Sequence, residues 1–150
     1  SLCGTLPERV IGADGFCVGQ FCDAGLLLPD EQSPACDELA DQLEYAPASV
    51  PKIWHLEVGN ALLVAERRGR IATRELDRLL ASLRNLPIEM DVESPGEILP
   101  RQVSIARQCE PSCYDASYVE LARRSGLPLA TLDLRLRKTC KALKVAVLPQ

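Results

Sequence analysis

The stretch that decides the fold is Pro128–Leu148, PLATLDLRLRKTCKALKVAVL. Pro128 to Leu132 is a short apolar run, Leu134 to Leu143 reads as a basic helix, and Val145 to Leu148 is a second apolar run. Strand, helix and strand in so few residues imply a right-handed crossover, which makes the two strands a parallel pair. The segment just before fits the same plan. Ser112 can open a helix that runs to about Arg124, and Gly126 can end it. This alternation predicts an α/β protein, a small parallel sheet flanked by helices.

Working back toward the N terminus, residues 51–69 read as a helix. Pro51 suits its first turn, Ile53, Leu56, Ala61, Leu62 and Ala65 supply an apolar face, and Gly69 stops it. Thr73 can cap a second helix, in which Leu76, Leu79, Leu80 and Leu83 recur at i, i+3, i+4 and i+7. Pro87 closes it. Ile88 to Val92 is a short alternating strand, and Glu97 to Gln108 a helix with Pro100 in its first turn.

The chain has 150 residues, 47% hydrophobic and 25% charged, the balance of one ordinary globular domain. No apolar run reaches the ~18 residues of a membrane span, and no basic segment precedes an apolar one as in a secretory signal. The expectation is a cytoplasmic protein without a membrane anchor. Seven cysteines, no CxxC spacing and one histidine do not point to zinc, and a reducing compartment accounts for them. The net charge of −4 is unevenly spread. Residues 1–50 carry nine acids and one base, Arg9, whereas residues 51–150 carry 16 bases and 12 acids. The later part can therefore face a polyanion, although solvated helix faces have the same composition.

Three carboxylates sit where a purely structural account strains. Glu57 lies mid-helix among Ile53, Trp54 and Ala61. A buried ionised carboxylate is costly unless paired or bound to a cation; alternatively, Glu57 lies at the solvent boundary. Asp115 stands three residues after Ser112, where it either completes a capping pattern or projects into a cleft. Asp133 follows the strand ending at Leu132, where it either caps the next helix or faces the ligand crevice at the strand ends. Together they form a candidate carboxylate cluster. Hard divalent cations bind through a few carboxylates and keep several waters, and such ions activate water and stabilise phosphoryl transfer.

The flanks of these acids carry a resemblance. Trp54-His55-Leu56-Glu57-Val58-Gly59-Asn60-Ala61-Leu62 resembles the second-acid helix of PIN-domain nucleases. Tyr114-Asp115-Ala116-Ser117-Tyr118-Val119-Glu120-Leu121-Ala122 resembles their third-acid helix. Leu129-Ala130-Thr131-Leu132-Asp133 with Arg135-Leu136 resembles their fourth-acid strand end. Leu28-Pro29-Asp30-Glu31 and Glu66-Arg67-Arg68-Gly69-Arg70-Ile71 fit as well, so the likeness spans about Leu26 to Pro149. The VapC-type toxins of bacterial toxin–antitoxin pairs are the most similar group. The resemblance implies a PIN-like fold over residues 26–150 and a Mg²⁺- or Mn²⁺-dependent endoribonuclease acting on RNA. It implies that Glu57, Asp115 and Asp133 hold the metal and act in catalysis, with Thr131 supporting the cluster through its hydroxyl. It also implies a homodimer and a small antitoxin that blocks the cleft.

Residues 1–25 depart from the family pattern, which opens on a short apolar strand ending in Asp. Here that place is Gly19, beside Gln20, and the stretch Phe16–Cys22 contains no acid; Asp14 is the nearest. Codons for Asp14 to Gly25 can be chosen so that reading one nucleotide later gives Met-Asp-Ser-Val-Leu-Asp-Asn-Ser-Val-Met-Leu, which restores the motif. The expectation is an out-of-frame segment over about residues 1–25. Gly12, Gly15 and Gly19 then break the apolar pattern; a substitute strand could form, but its register is poorly specified, and the chain as written binds metal weakly and cleaves RNA poorly.

Two other readings compete. A PIN-fold protein without its first acid could be catalytically impaired and only bind an antitoxin or RNA. A phospho-receiver-like domain also clusters acids, but it needs paired acids after its first strand and a lysine after a late one. Here Asp133 holds the late strand end and the nearest lysine is Lys138. His55 has no matching serine motif and belongs on the surface of the Glu57 helix. Arg135, Arg137, Lys138, Lys141 and Lys144 could contact phosphates, as could any solvated basic helix.

Overall fold

The computed structural model describes residues 15–19, 27–28, 30 and 32–149. Asp14 and Gln20, and most of the segment expected to be out of frame, lie outside the described residues. The order is β1 (Phe16–Val18), α1 (Pro34–Leu43), β2 (Ala48–Val50), α2 (Trp54–Arg67), α3 (Thr73–Leu83), β3 (Ile88–Met90), α4 (Pro95–Cys109), α5 (Cys113–Ser125), β4 (Leu129–Ala130), α6 (Leu134–Ala142) and β5 (Val147–Leu148). The five strands form one sheet in the order β3-β2-β1-β4-β5. Every pairing is parallel, with Cys17 opposite both Ser49 and Leu129. This is the expected α/β architecture, with a PIN-like fold.

The strand order reverses at β1. The chain leaves β1 for β2 on one side and returns to its other side only at β4. Open parallel sheets bind ligands at the carboxyl ends of the strands at such a point. Gly19 follows β1 there, and Thr131 and Asp133 follow β4.

β1 is a substitute strand of this kind, and pairing on both sides sets the register that its pattern leaves open. Phe16, Cys17 and Val18 are all buried, and the strand is paired on both sides. A central parallel strand is covered on both faces and reads as a continuous apolar run, so missing alternation does not count against it. Gly15 and Gly19 flank the strand and do not interrupt it. Burial also pushes the Cys17 thiol up to about 12, so it behaves as a small apolar side chain.

α5 is the axis of the molecule. Ala116 to Ala122 are buried without interruption, and the helix packs on β1, β2 and β4 and against α4 and α6. Its middle is enclosed on every side, and the one acid buried there, Glu120, is paired with Arg124 and Arg101. Its ends are those expected: the Ser112 hydroxyl accepts the Asp115 N–H at 3.0 Å, and Gly126 takes the left-handed conformation at φ 67°.

Several boundaries differ from the patterns. α2 begins at Trp54, because Pro51 opens a turn in which its carbonyl accepts the Trp54 N–H at 3.0 Å. Ala72, not Thr73, occupies the cap of α3, without a side-chain hydrogen bond. α4 starts at Pro95, which places Pro100 inside the helix, not in its first turn. α1 and β2 have no counterpart in the expected elements. Ser33 caps α1 by accepting from the Cys36 N–H at 3.3 Å, with Pro34 in the first turn and Cys36, Leu39 and Leu43 buried.

Candidate active site

α2 holds Trp54, Val58, Leu62 and Ala65 in the core. Glu57 falls at the edge of that stripe and is half-buried. Its carboxylate accepts a short hydrogen bond from the hydroxyl of Tyr118, a fully buried residue of α5. Burial raises the Glu57 pKa above its ordinary value, the Tyr118 hydrogen bond opposes that rise, and the charge of Asp115 adds to it. The two carboxylates are thus near enough to repel each other. Neither open reading of Glu57 is complete: it is a boundary residue, and it faces another acid.

Asp115 sits in the first turn of α5 and is partly exposed. Its backbone N–H serves the Ser112 cap, and among the described residues no hydrogen bond or ion pair engages its carboxylate. Asp133 caps α6: its Oδ1 accepts from the N–H groups of Arg135 at 2.8 Å and Leu136 at 3.4 Å. Thr131, fully buried, accepts the Asp133 N–H on its Oγ1 at 3.2 Å, so this hydroxyl does orient one member of the cluster. Asp115 and Asp133 line one cleft of about 740 Å³ between α4, α5 and α6.

The structure therefore links Glu57 to Asp115 electrostatically and joins Asp115 to Asp133 across one cleft. Among the described residues no three carboxylates, thiols or imidazoles close round a single point. Gly19 lies on the same sheet edge. Its N–H donates to the Ala130 carbonyl at 2.7 Å. A Cβ built on it would stand 3.0 Å from that oxygen, 3.1 Å from Thr131 Cβ and 3.3 Å from Thr131 Oγ1. A side chain here would point at the hydroxyl that holds Asp133. The donor chemistry fits a hard divalent cation, which is content with one or two carboxylates and several waters. The gathered negative charge is also what such an ion relieves.

His55 is exposed on α2, as expected for a residue without a triad. Two features of the site were not anticipated. Tyr118 couples the Glu57 and Asp115 elements, and its spacing of three from Asp115 on a helix was the available signal. The other is a buried ion-pair network below the cleft. Arg124 binds Asp91 at 2.6 Å and Glu120 at 2.9 Å, and Glu120 also takes Arg101 at 2.9 Å. Burial works against the Arg124 charge, but its hydrogen bonds to Glu120 and Asp91 prevail and raise its pKa. This network fastens the end of β3 to α5.

No protein-family model matches the chain. It is similar to Ribonuclease VapC3 of Pyrobaculum aerophilum, with 30% identity over 120 residues, covering 80% of this chain and 90% of that protein. Its fold is similar to the crystal structure of PAE2754 from Pyrobaculum aerophilum. The TM-score is 0.63 and the identity 25%, over 95% of this chain and 89% of the other.

Proposed function

The chain belongs to the VapC family of nucleases with a PIN-like fold, and on that premise we propose that it is an endoribonuclease toxin whose cleft hydrolyses RNA phosphodiester bonds. The observation that carries the proposal is the placement of Asp115 and Asp133 in one cleft at the sheet's switch point, with Glu57 close enough to feel the charge of Asp115. In this reading Glu57, Asp115 and Asp133 hold Mg²⁺ or Mn²⁺. When bound, that ion supplies an activated water and neutralises charge on the phosphoryl group.

The chain's own residues prepare the site. Ser112 fixes the first turn of α5, and with it the position of Asp115. Tyr118 holds the Glu57 carboxylate by one oxygen. Thr131 and the first N–H groups of α6 hold Asp133. The Glu57 and Asp133 carboxylates are thereby oriented, and the backbone of Asp115 fixed, before substrate arrives, which lowers the cost of binding a highly charged ligand.

The proposal includes a small antitoxin that covers the cleft with basic side chains near the acids, as the family resemblance implies. It also includes a homodimer, as the family resemblance implies. A reduced, cytoplasmic setting suits the free thiols of Cys17, Cys109, Cys113 and Cys140. No helix among the described residues is long and apolar enough to cross a membrane.

The test is cleavage of single-stranded RNA in Mg²⁺, Mn²⁺ and EDTA by the parent and by Asp115→Asn. The Ser112 cap uses the backbone N–H of residue 115, so the variant keeps its helix and should melt no lower than the parent in EDTA. It should lose metal-dependent cleavage by about 10²-fold or more, the scale of losing a group that acts in the transition state. Cleavage at the parental rate would leave Asp115 a structural residue.

A further inference from the structure

The basic side chains near the cleft divide into two groups. α6 carries five cations in or just after it, but only Arg135 and Lys138 line the cleft with Asp133. They stand at i and i+3, one helical face, which Thr139 and Ala142 continue. Arg137 is already spent inside the protein. Its guanidinium donates to the carbonyls of Thr131 at 2.9 Å and Pro149 at 2.7 Å, and so ties α6 to the ends of β4 and β5. Lys141 and Lys144 are not part of the lining. From the opposite wall, α4 contributes Arg107.

Arg107, Arg135 and Lys138 are exposed, and among the described residues none of their side chains has an ion-pair or hydrogen-bond partner. They face three carboxylates in the same lining, Glu110, Asp115 and Asp133. Without the three cations the cleft is purely acidic and repels a polyanion. With them its net charge is balanced while the positive groups stay free to pair. A chain of phosphates spans such a cleft only if the phosphates beside the reacting one meet cations on both walls.

We infer that Arg107 on one wall and Arg135 with Lys138 on the other form a two-sided grip for the RNA backbone, seating the phosphates that flank the one at the acids. The inference rests on the reading of the cleft as an RNA-cleaving site and adds the positioning residues. It excludes Arg137, Lys141 and Lys144 from backbone contact.

The test measures binding of a fluorescein-labelled single-stranded oligoribonucleotide by anisotropy, in EDTA, over a range of salt. The full chain is compared with the triple variant Arg107→Gln, Arg135→Gln, Lys138→Gln and with Lys141→Gln. Each phosphate contact on a single strand contributes about 0.7 to the slope of log affinity against log salt. The triple variant should lose about 2 from that slope and bind roughly a hundredfold more weakly at about 0.1 M salt. Lys141→Gln should match the parent in slope. All four side chains are exposed, so melting temperatures should agree. Equal slopes for parent and triple variant, an equal loss in Lys141→Gln, or no RNA binding by the parent each overturn the grip. Cleavage in Mg²⁺ is assayed separately. A parent that binds through these three residues but does not cleave keeps the grip and removes the nuclease reading. A parent that cleaves while the triple variant binds normally does the reverse.

Discussion

Gly19→Asp puts an acid where the family resemblance implies the first acid, and the local geometry sets both its cost and its gain. Without metal the new Cβ meets the Ala130 carbonyl at 3.0 Å and Thr131 Cβ at 3.1 Å, so β1 and β4 must separate by a few tenths of an ångström. Overpacking of this kind costs about 1–3 kcal/mol. Replacing glycine returns about 0.4–1 kcal/mol by restricting the unfolded chain. The net loss of about 1–2 kcal/mol lowers the melting temperature in EDTA by roughly 2–8 °C for a chain of this size. With Mg²⁺ the sign changes. A completed site that binds only the folded state gains about 2.7 kcal/mol at a hundred times its Kd, which more than offsets the strain. Thermal melting in EDTA and in rising Mg²⁺, alongside RNA cleavage, reads both effects. Gly19→Asn is the control, with the same Cβ and nearly the same volume but without the charge. It should show the loss in EDTA and no extra Mg²⁺ response. A Mg²⁺-induced rise no larger in Gly19→Asp than in the parent or in Gly19→Asn would refute the assignment of this position to the metal site.

Three further outcomes follow from the same structure. The Glu57 carboxyl has a folded pKa above its ordinary 4.5, so as pH rises past that value the unfolded chain sheds its proton first and stability falls. Glu57→Gln keeps an acceptor for the Tyr118 hydroxyl. It should melt higher than the parent at neutral pH in EDTA, with the difference vanishing below about pH 4; a clear drop at neutral pH would count against carboxylate repulsion there. Arg124→Leu strands Asp91 and Glu120, whose side chains are 4% and 3% exposed. The cost should be about 3–5 kcal/mol, toward the lower figure because Glu120 keeps Arg101. Urea unfolding checks it, and a change under about 1 kcal/mol would show the network to be expendable. A version carrying the shifted-frame N terminus should melt higher and cleave RNA faster in Mg²⁺ than the chain as written. Equality in both would count against the frame shift in residues 1–25, and the gene's nucleotide sequence decides the frame directly.

The C-terminal half was legible because each signal there is local. Ser112, Gly126, Asp133 and the apolar runs about Leu129 and Val147 act within one or two turns, and each does in the structure what its chemistry predicts. The register of β1 was not legible because its pattern depends on what covers it. Alternation reports a strand with one wet face, and this strand has none. β2 is three residues long with Pro47 before it, too short for any period to show. The ion-pair network was hidden for another reason. Asp91 and Arg124 are 33 residues apart, and nothing in either neighbourhood marks them as partners.

The long-range contacts explain why one helix can serve both the core and the cleft. α5 presents Asp115 on its first turn, reaches Glu57 through Tyr118 on its second, and on its later turns is fastened to the end of β3 by Arg124 and to α4 by Glu120. Gathering carboxylates at a helix start stores repulsion, which works to pull α2 and α5 apart at Glu57 and Asp115. The ion pairs of Asp91 and Glu120 hold from the far end of the same helix, where both carboxylates are almost fully buried. Asp115 can therefore stay near a second acid because its helix is held elsewhere. Weakening Arg124 should loosen the spacing of Glu57 and Asp115 before it unfolds the sheet.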